Sequence, residues 1–182
     1  MYQLIENGIK RLTDDAVIPC DDRNRDYQEF LQWKTAGNQP RPCCPSEFHK
    51  WDEANSKWIV NAAKKGELLQ KAFDKLDAAT NQMILHAFKY KNQTLKLSAE
   101  NQRNYANEFQ LRDRLSYPHF VKTAGGFIEI SSADEYKAFY AAFVAHIRGS
   151  VEKGWKAKKE LKTMNSVQIV EYLNNNKNKG DK

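Results

Sequence analysis

The sequence predicts an α+β fold, mainly helical from residue 61, with small antiparallel hairpins at about 2–12, 48–60 and 119–130. Three observations carry that prediction. Short apolar runs are separated by turn residues, above all at Gly125-Gly126, where glycine accepts the positive φ of a tight hairpin turn. Tyr136, Phe139, Tyr140, Phe143, Val144, Ile147 and Val151 recur at helical spacing as one apolar stripe. Ahead of them, Leu69, Ala72, Phe73, Leu76, Ala79, Met83, Ile84, Ala87 and Phe88 repeat at three and four.

Taken in order, Tyr2 to Ile5 and Ile9 to Leu12 flank Glu6-Asn7-Gly8. A three-residue loop with Gly8 in the left-handed position sets Ile5 against Ile9 and Tyr2 against Leu12. Thr13 to Asp26 is turn-rich and broken at Ile18-Pro19. Asp22 or Asn24 caps a short helix with Tyr27, Phe30 and Leu31 on its apolar face and Trp33 beside it, ended by Gly37-Asn38. Gln39 to Pro45 holds three of the five prolines and reads as an extended linker, because proline removes a backbone donor and fixes φ. Phe48–Trp51 and Lys57–Val60 then form a hairpin with Trp51 and Trp58 near its mouth.

Beyond residue 61 the helical pattern has an expected break near Thr80-Asn81, a turn at Asn92-Gln93-Thr94 and an extended piece at Leu95–Leu97. Ser98 caps a helix from Ala99 to Arg114 whose apolar positions are Tyr105 and Phe109. The Gly-Gly turn sets Lys122 opposite Glu129, with Val121, Thr123, Ile128 and Ile130 on the other face. Ser132 and Glu135 fit a capping box that opens the central helix. That helix is expected to reach Arg148-Gly149 and to bury its stripe against helix 65–88. Gly154 marks an interruption before two short helices, Trp155–Met164 and Ser166–Leu173, the last capped by Asn165 or Ser166. The chain thus divides into a hairpin-plus-helix module at 1–42, a linker and Trp hairpin at 43–60, a helical domain at 61–173 and a fraying polar tail at 174–182.

With 182 residues, 41% hydrophobic and 29% charged, the composition is that of a globular chain with a real core. The net charge of +6 accumulates towards the C-terminus: residues 1–60 carry 8 basic against 10 acidic side chains, residues 151–182 carry 8 against 4. Such a drift is more often solubility than a binding face, and the lysines are not interleaved with exposed aromatics in one segment, so nucleic acid is a disfavoured partner. No run approaches the roughly 20 apolar residues of a membrane span. The start lacks the basic and long apolar regions of a signal peptide, which points to the cytoplasm.

Cys20, Cys43 and Cys44 are an odd number and read as free thiols; Cys43-Cys44 with His49 lacks the ligand spacing of a structural zinc site. No nucleophile elbow, phosphate loop, dinucleotide fingerprint or His-Glu-x-x-His motif is present. The expectation is a protein without catalytic residues, metal or cofactor. Tryptophans at these spacings are more often half-buried core than partner anchors. The residues that serve as anchors on the second reading are Tyr27, Phe30, Trp33, Trp51, Trp58 and Trp155.

Two stretches carry a resemblance. Residues 1–42, with Asn7-Gly8-Ile9, Ile18-Pro19, Asn24-Arg25-Asp26-Tyr27, Phe30-Leu31, Trp33 and Gly37-Asn38-Gln39-Pro40, resemble the opening module of many phage tail proteins. Residues from about 48 to 173 resemble a domain found at the ends of tail-fibre proteins and in small proteins encoded beside them. The matching residues are Trp51, Trp58, Ser98 to Gln102, Gly125-Gly126, Ile128, Ile130 and the Glu135-to-His146 helix. Lys50-Trp51 and Lys57-Trp58 are also similar to tail-fibre assembly chaperones. The resemblance implies a non-enzymatic protein with a tail-fibre or baseplate partner, placed in the host cytoplasm during assembly or in the virion tail; a second copy of the chain, as a homo-oligomer, is a separate candidate partner. The alternatives are a structural tail component and a basic nucleic-acid-binding accessory protein.

Overall fold

Gly8 decides how the chain begins. A computed structural model describes residues 1–123 and 125–175, and the chain divides into two compact units, Met1–Leu68 and Leu69–Lys182. In the first unit β1 (Tyr2–Ile5) pairs antiparallel with β2 (Gly8–Arg11), placing Leu4 opposite Ile9 and Ile5 opposite Gly8. The expected three-residue loop, with Ile5 against Ile9, is one residue too long. The reason lies in the supposed turn region, which supplies a third strand, β3 (Val17–Ile18), with Ile18 opposite Ile9. A Cβ on Gly8 would stand 2.6 Å from the Ile18 carbonyl oxygen, so glycine here admits a neighbouring backbone as well as its φ of 154°.

Helix α1 (Arg25–Thr35) is capped by Asn24, whose side chain accepts the Tyr27 N–H at 3.1 Å. Asp22 is not the cap; its carbonyl accepts the Gln28 side-chain amide. Phe30 packs edge-on to Tyr2, and these two with Ile9 and Ile18 form the small core of the unit. The proline-rich stretch is no free linker. Leu4 N–H donates to the Arg41 carbonyl at 2.8 Å and Arg41 N–H to the Tyr2 carbonyl at 2.9 Å, a parallel bridge along β1. Strands β4 (His49–Asp52) and β5 (Lys57–Val60) follow as expected, with Trp51 directly opposite Trp58. Cys20, Cys43 and Cys44 are free thiols.

A single 3₁₀ turn, Ala62–Lys64, leads into α2 (Lys65–His86), which runs unbroken through Thr80-Asn81. Packing overrides the modest helix propensity of those residues, because Thr80 is buried. The apolar repeat does not continue the helix to Phe88. Instead β6 (Phe88–Tyr90) and β7 (Gln93–Leu95) form a hairpin that the periodicity hides. Its turn is Lys91-Asn92, both at positive φ, one position before the turn expected at Asn92–Thr94. Helix α3 (Ala99–Leu111) has Ser98 as its cap and gives way to a 3₁₀ turn at Arg112–Arg114, three residues short of the expected helix end.

β8 (His119–Lys122) pairs with β9 (Phe127–Ile130), placing Val121 opposite Ile128 and Lys122 opposite Phe127 rather than Glu129. Pairing closes on Thr123, whose N–H donates to the Gly126 carbonyl, so the reversal falls one residue earlier than Gly125-Gly126. Because each partner moves by two, face parity survives, and Val121, Thr123, Ile128 and Ile130 are all buried as expected.

Helix α4 (Ala133–Thr163) is one element of 31 residues, uninterrupted at Gly149 or Gly154. Gly154 permits close approach: a Cβ there would meet Thr80 Oγ1 at 2.8 Å, so α2 and α4 touch where a break was expected. The Ser132 side chain caps α4, but Glu135 reaches past it to accept the Ser131 N–H at 2.6 Å, and also pairs with Lys91. The stripe of α4 does not rely on α2 for cover. Tyr136, Phe139 and Phe143 lie in a core with Phe88, Leu95, Leu97, Tyr105, Val121, Ile128 and Ile130, contributed by both hairpins and α3. Helix α5 (Ser166–Asn175) starts with a reciprocal cap, Asn165 accepting the Gln168 N–H and Gln168 accepting the Asn165 N–H. Asn174 and Asn175 complete α5; the rest of the expected tail, residues 176–182, lies outside the described residues. No helix among the described residues is long and apolar enough to cross a membrane.

Two outcomes follow from this packing. Among the described residues Thr80 Oγ1 is buried without a partner, and it faces Gly154. Gly154→Ala should therefore cost about 1–2 kcal/mol in urea denaturation by crowding Thr80. In a Thr80→Ala background the same change should stabilise by about 1 kcal/mol, the helix propensity difference. Lys91, then the Ser131 N–H, hold the Glu135 carboxyl below its ordinary 4.5. A carboxylate lowered on folding stabilises above its ordinary value, and that contribution disappears as pH falls through the folded one. Glu135→Gln should flatten the loss of urea midpoint on acidification below pH 4.5.

Candidate partner-binding surfaces

The anchor residues of the first unit divide into two groups. Tyr27, Phe30 and Trp33 sit three apart on α1, and Phe30 is buried at 4% exposure while Tyr27 and Trp33 are half-buried beside it. Trp33 packs edge-on to Tyr2 at 5.0 Å. These rings are spent on the small core and leave only their outer edges for a partner.

Trp51 and Trp58 form an edge-to-face pair at 5.2 Å across β4 and β5. Both indole N–H groups are used: Trp51 donates to Glu53 at 3.0 Å and Trp58 to the Pro42 carbonyl at 2.9 Å. The Arg41 guanidinium lies over the Trp51 ring at 5.1 Å and pairs with Glu53. The pair is thus a clasp that pins the proline-rich stretch to the second hairpin. A cavity of about 240 Å³ opens beside it, between Gln39–Pro42 and Trp51.

Trp155 is the exception to the core reading of the tryptophans. It stands on α4 at 69% exposure, with Lys159 and Lys162 one and two turns further along the same helix. The expectation that no segment interleaves lysines with an exposed aromatic fails here, since Trp155 points away from the face that α4 buries.

The second unit also carries a surface that was not among the expected anchors. Phe120 and Phe127 are 57% and 65% exposed, on the outward face of β8 and β9 with Lys122 and Glu129. Between β8 and α3 lies a cavity of about 580 Å³, walled by Asn101, Asn104, Tyr105 and Glu108 on one side and by residues 120–123 on the other, with Lys96 also lining it. At its base Tyr136 donates to Glu108 at 2.5 Å and His119 lies 3.3 Å from the same carboxylate oxygen. Burial first, then this hydrogen bond, pushes the Tyr136 hydroxyl far above its ordinary value, so it stays a neutral donor that ties α4 to α3. A second, shallower apolar hollow of about 500 Å³ runs between α3 and α4 beside Tyr140, Val144 and Arg148.

Strand alternation is the one signal in the sequence that places Phe120 and Phe127 outward. With Val121 and Ile128 inward, the phenylalanines must face out, and two such residues on one short hairpin are unusual for a surface without a partner. Among the described residues no group of three His, Cys, Asp or Glu side chains is placed to hold a metal ion, and His49 shares a hydrogen bond with Ser46 instead. The chain matches no protein-family model, no curated protein and no solved structure.

The two kinds of tryptophan should respond differently to truncation. Trp155→Ala should leave the urea midpoint unchanged, whereas Trp58→Ala should cost about 2 kcal/mol, losing the ring pair and leaving Pro42 without its donor.

Proposed function

We propose that this chain is a non-enzymatic phage tail protein that works through protein–protein contacts, as a tail-fibre assembly chaperone or a fibre-associated protein. The observation that carries the contact reading is the outward pair Phe120 and Phe127, more than half exposed on a two-stranded sheet. A folded unit with a well-filled core has no structural use for them there.

The phage-tail part of the reading is supported by the resemblance of residues 1–42 and 48–173. Several of the residues that carry it have defined tasks in this fold: Trp51 and Trp58 form the clasp, Ser98 caps α3, and Ile128 and Ile130 are core. A holder for fibre tips also makes physical sense. Intertwined β-rich fibres form slowly and expose strand edges while they do. Glu108, the one carboxylate lining the cavity, is bonded to both His119 of β8 and Tyr136 of α4, which suits a structural role better than proton transfer.

Retention in the particle as a tail or baseplate component is the alternative within the same class. A second class, a basic nucleic-acid-binding accessory protein, is favoured by one observation, the exposed Trp155 among lysines. Co-expression with the neighbouring fibre protein should yield a complex on pull-down, and mass analysis of purified particles should lack this chain. Presence at fixed copy number would instead assign it to the tail. Binding to random DNA that falls steeply between about 50 and 200 mM salt would favour the accessory role.

A further inference from the structure

We infer that the groove between α3 and β8 receives an extended, carboxylate-bearing segment of a partner protein, which adds as a third strand to the outer edge of β8. The inference rests on the reading of this chain as one that acts by contact, and names the place and the chemistry of that contact.

The edge is open. The Thr123 N–H bond to the Gly126 carbonyl sets the parity of the ladder, so that Val121 and His119 bond inward to β9. Phe120 and Lys122 therefore turn their N–H and C=O groups away from β9, and among the described residues nothing bonds to them. The two edges of this sheet are not equivalent. On β9 the corresponding outward carbonyl, that of Glu129, accepts Lys91 Nζ at 2.8 Å. The β8 edge has no such cover, and the cavity of about 580 Å³ lies directly along it.

The spacing of that edge selects a polypeptide. Outward N–H and C=O groups alternating every second residue match the main chain of another strand, about 4.8 Å away. Phosphates or a lipid surface would find donors but no use for the carbonyls. Side chains then select among polypeptides. Phe120 offers an apolar platform, and Lys96 and Lys122 are exposed ammonium groups that make no ion pair among the described residues. The one carboxylate in the groove, Glu108, already accepts from Tyr136 and lies beside His119. Two unpaired cations against one engaged carboxylate leave the groove complementary to an acidic side chain or a chain-terminal carboxylate.

The test uses the full chain and fluorescein-labelled peptides of about eight residues, alternating Val and Thr around a central Glu. Fluorescence anisotropy should show binding of this peptide, and amide exchange at Phe120 and Lys122 should slow. Lys122→Glu should weaken it about tenfold, as should Lys96→Glu; both positions are exposed, so the fold is not at stake. Replacing the central Glu by Lys should have a similar effect. N-methylation of alternate peptide nitrogens should abolish binding in one parity and spare it in the other, which only strand addition explains. No binding, equal loss in both parities, indifference to Lys122→Glu, or displacement by oligo-dT would each overturn the inference. Failure of the wild-type chain to capture any fibre protein would end the contact reading itself. Fibre capture that persists undiminished in Lys122→Glu would end only the assignment to this groove.

Discussion

Phe139 has no exposed surface, and its ring meets four others: Phe88, Tyr90, Tyr105 and Tyr136, at centroid separations of 5.1 to 6.0 Å. Those rings belong to β6, α3 and α4 itself, and the same core takes in Val121 and Ile128 from the β8–β9 hairpin. An isolated two-stranded hairpin is marginal in water. Neither hairpin of the second unit would hold its shape without this aromatic centre. The outward face of β8 and β9 is consequently a product of the inward one: Phe120 and Phe127 can stand exposed because Val121 and Ile128 are held beneath them.

Helix α4 extends this constraint along its length. Its first half is anchored by rings, Tyr140 stacking on Phe109 at 4.1 Å among them. Its second half is anchored by proximity, where the absence of a side chain at Gly154 lets Thr80 of α2 come close. Lys158 then pairs with Asp77 at 2.6 Å on the same side. Continuity of the helix through Gly154 is what places Trp155 on the opposite, exposed side.

The first unit uses another device. It is small, and its sheet of three strands carries few buried residues, so backbone and cation–π contacts take over where apolar area is short. Arg41 illustrates this: its backbone extends the sheet at β1 while its guanidinium covers Trp51. A stretch whose prolines forbid regular pairing is held in place by the one residue between two of them that still has an N–H to give.

Several features were legible in the sequence because they are settled within a few residues. Caps at Asn24, Ser98, Ser132 and Asn165 depend on a side chain three residues from its donor. The inward set Val121, Thr123, Ile128 and Ile130 depends on period two alone, and so is the same in the expected and the observed register. What tertiary structure decided are the matters in which distant segments compete. Ile18 became a strand because β2 offered an edge, and Phe88 left the helical repeat because the Phe139 ring was waiting for it. Gly154 became a helix contact in place of a break because Thr80 lay across from it. The groove between β8 and α3 belongs to the same group: its walls are brought together only by the core beneath, and no local pattern encodes that meeting.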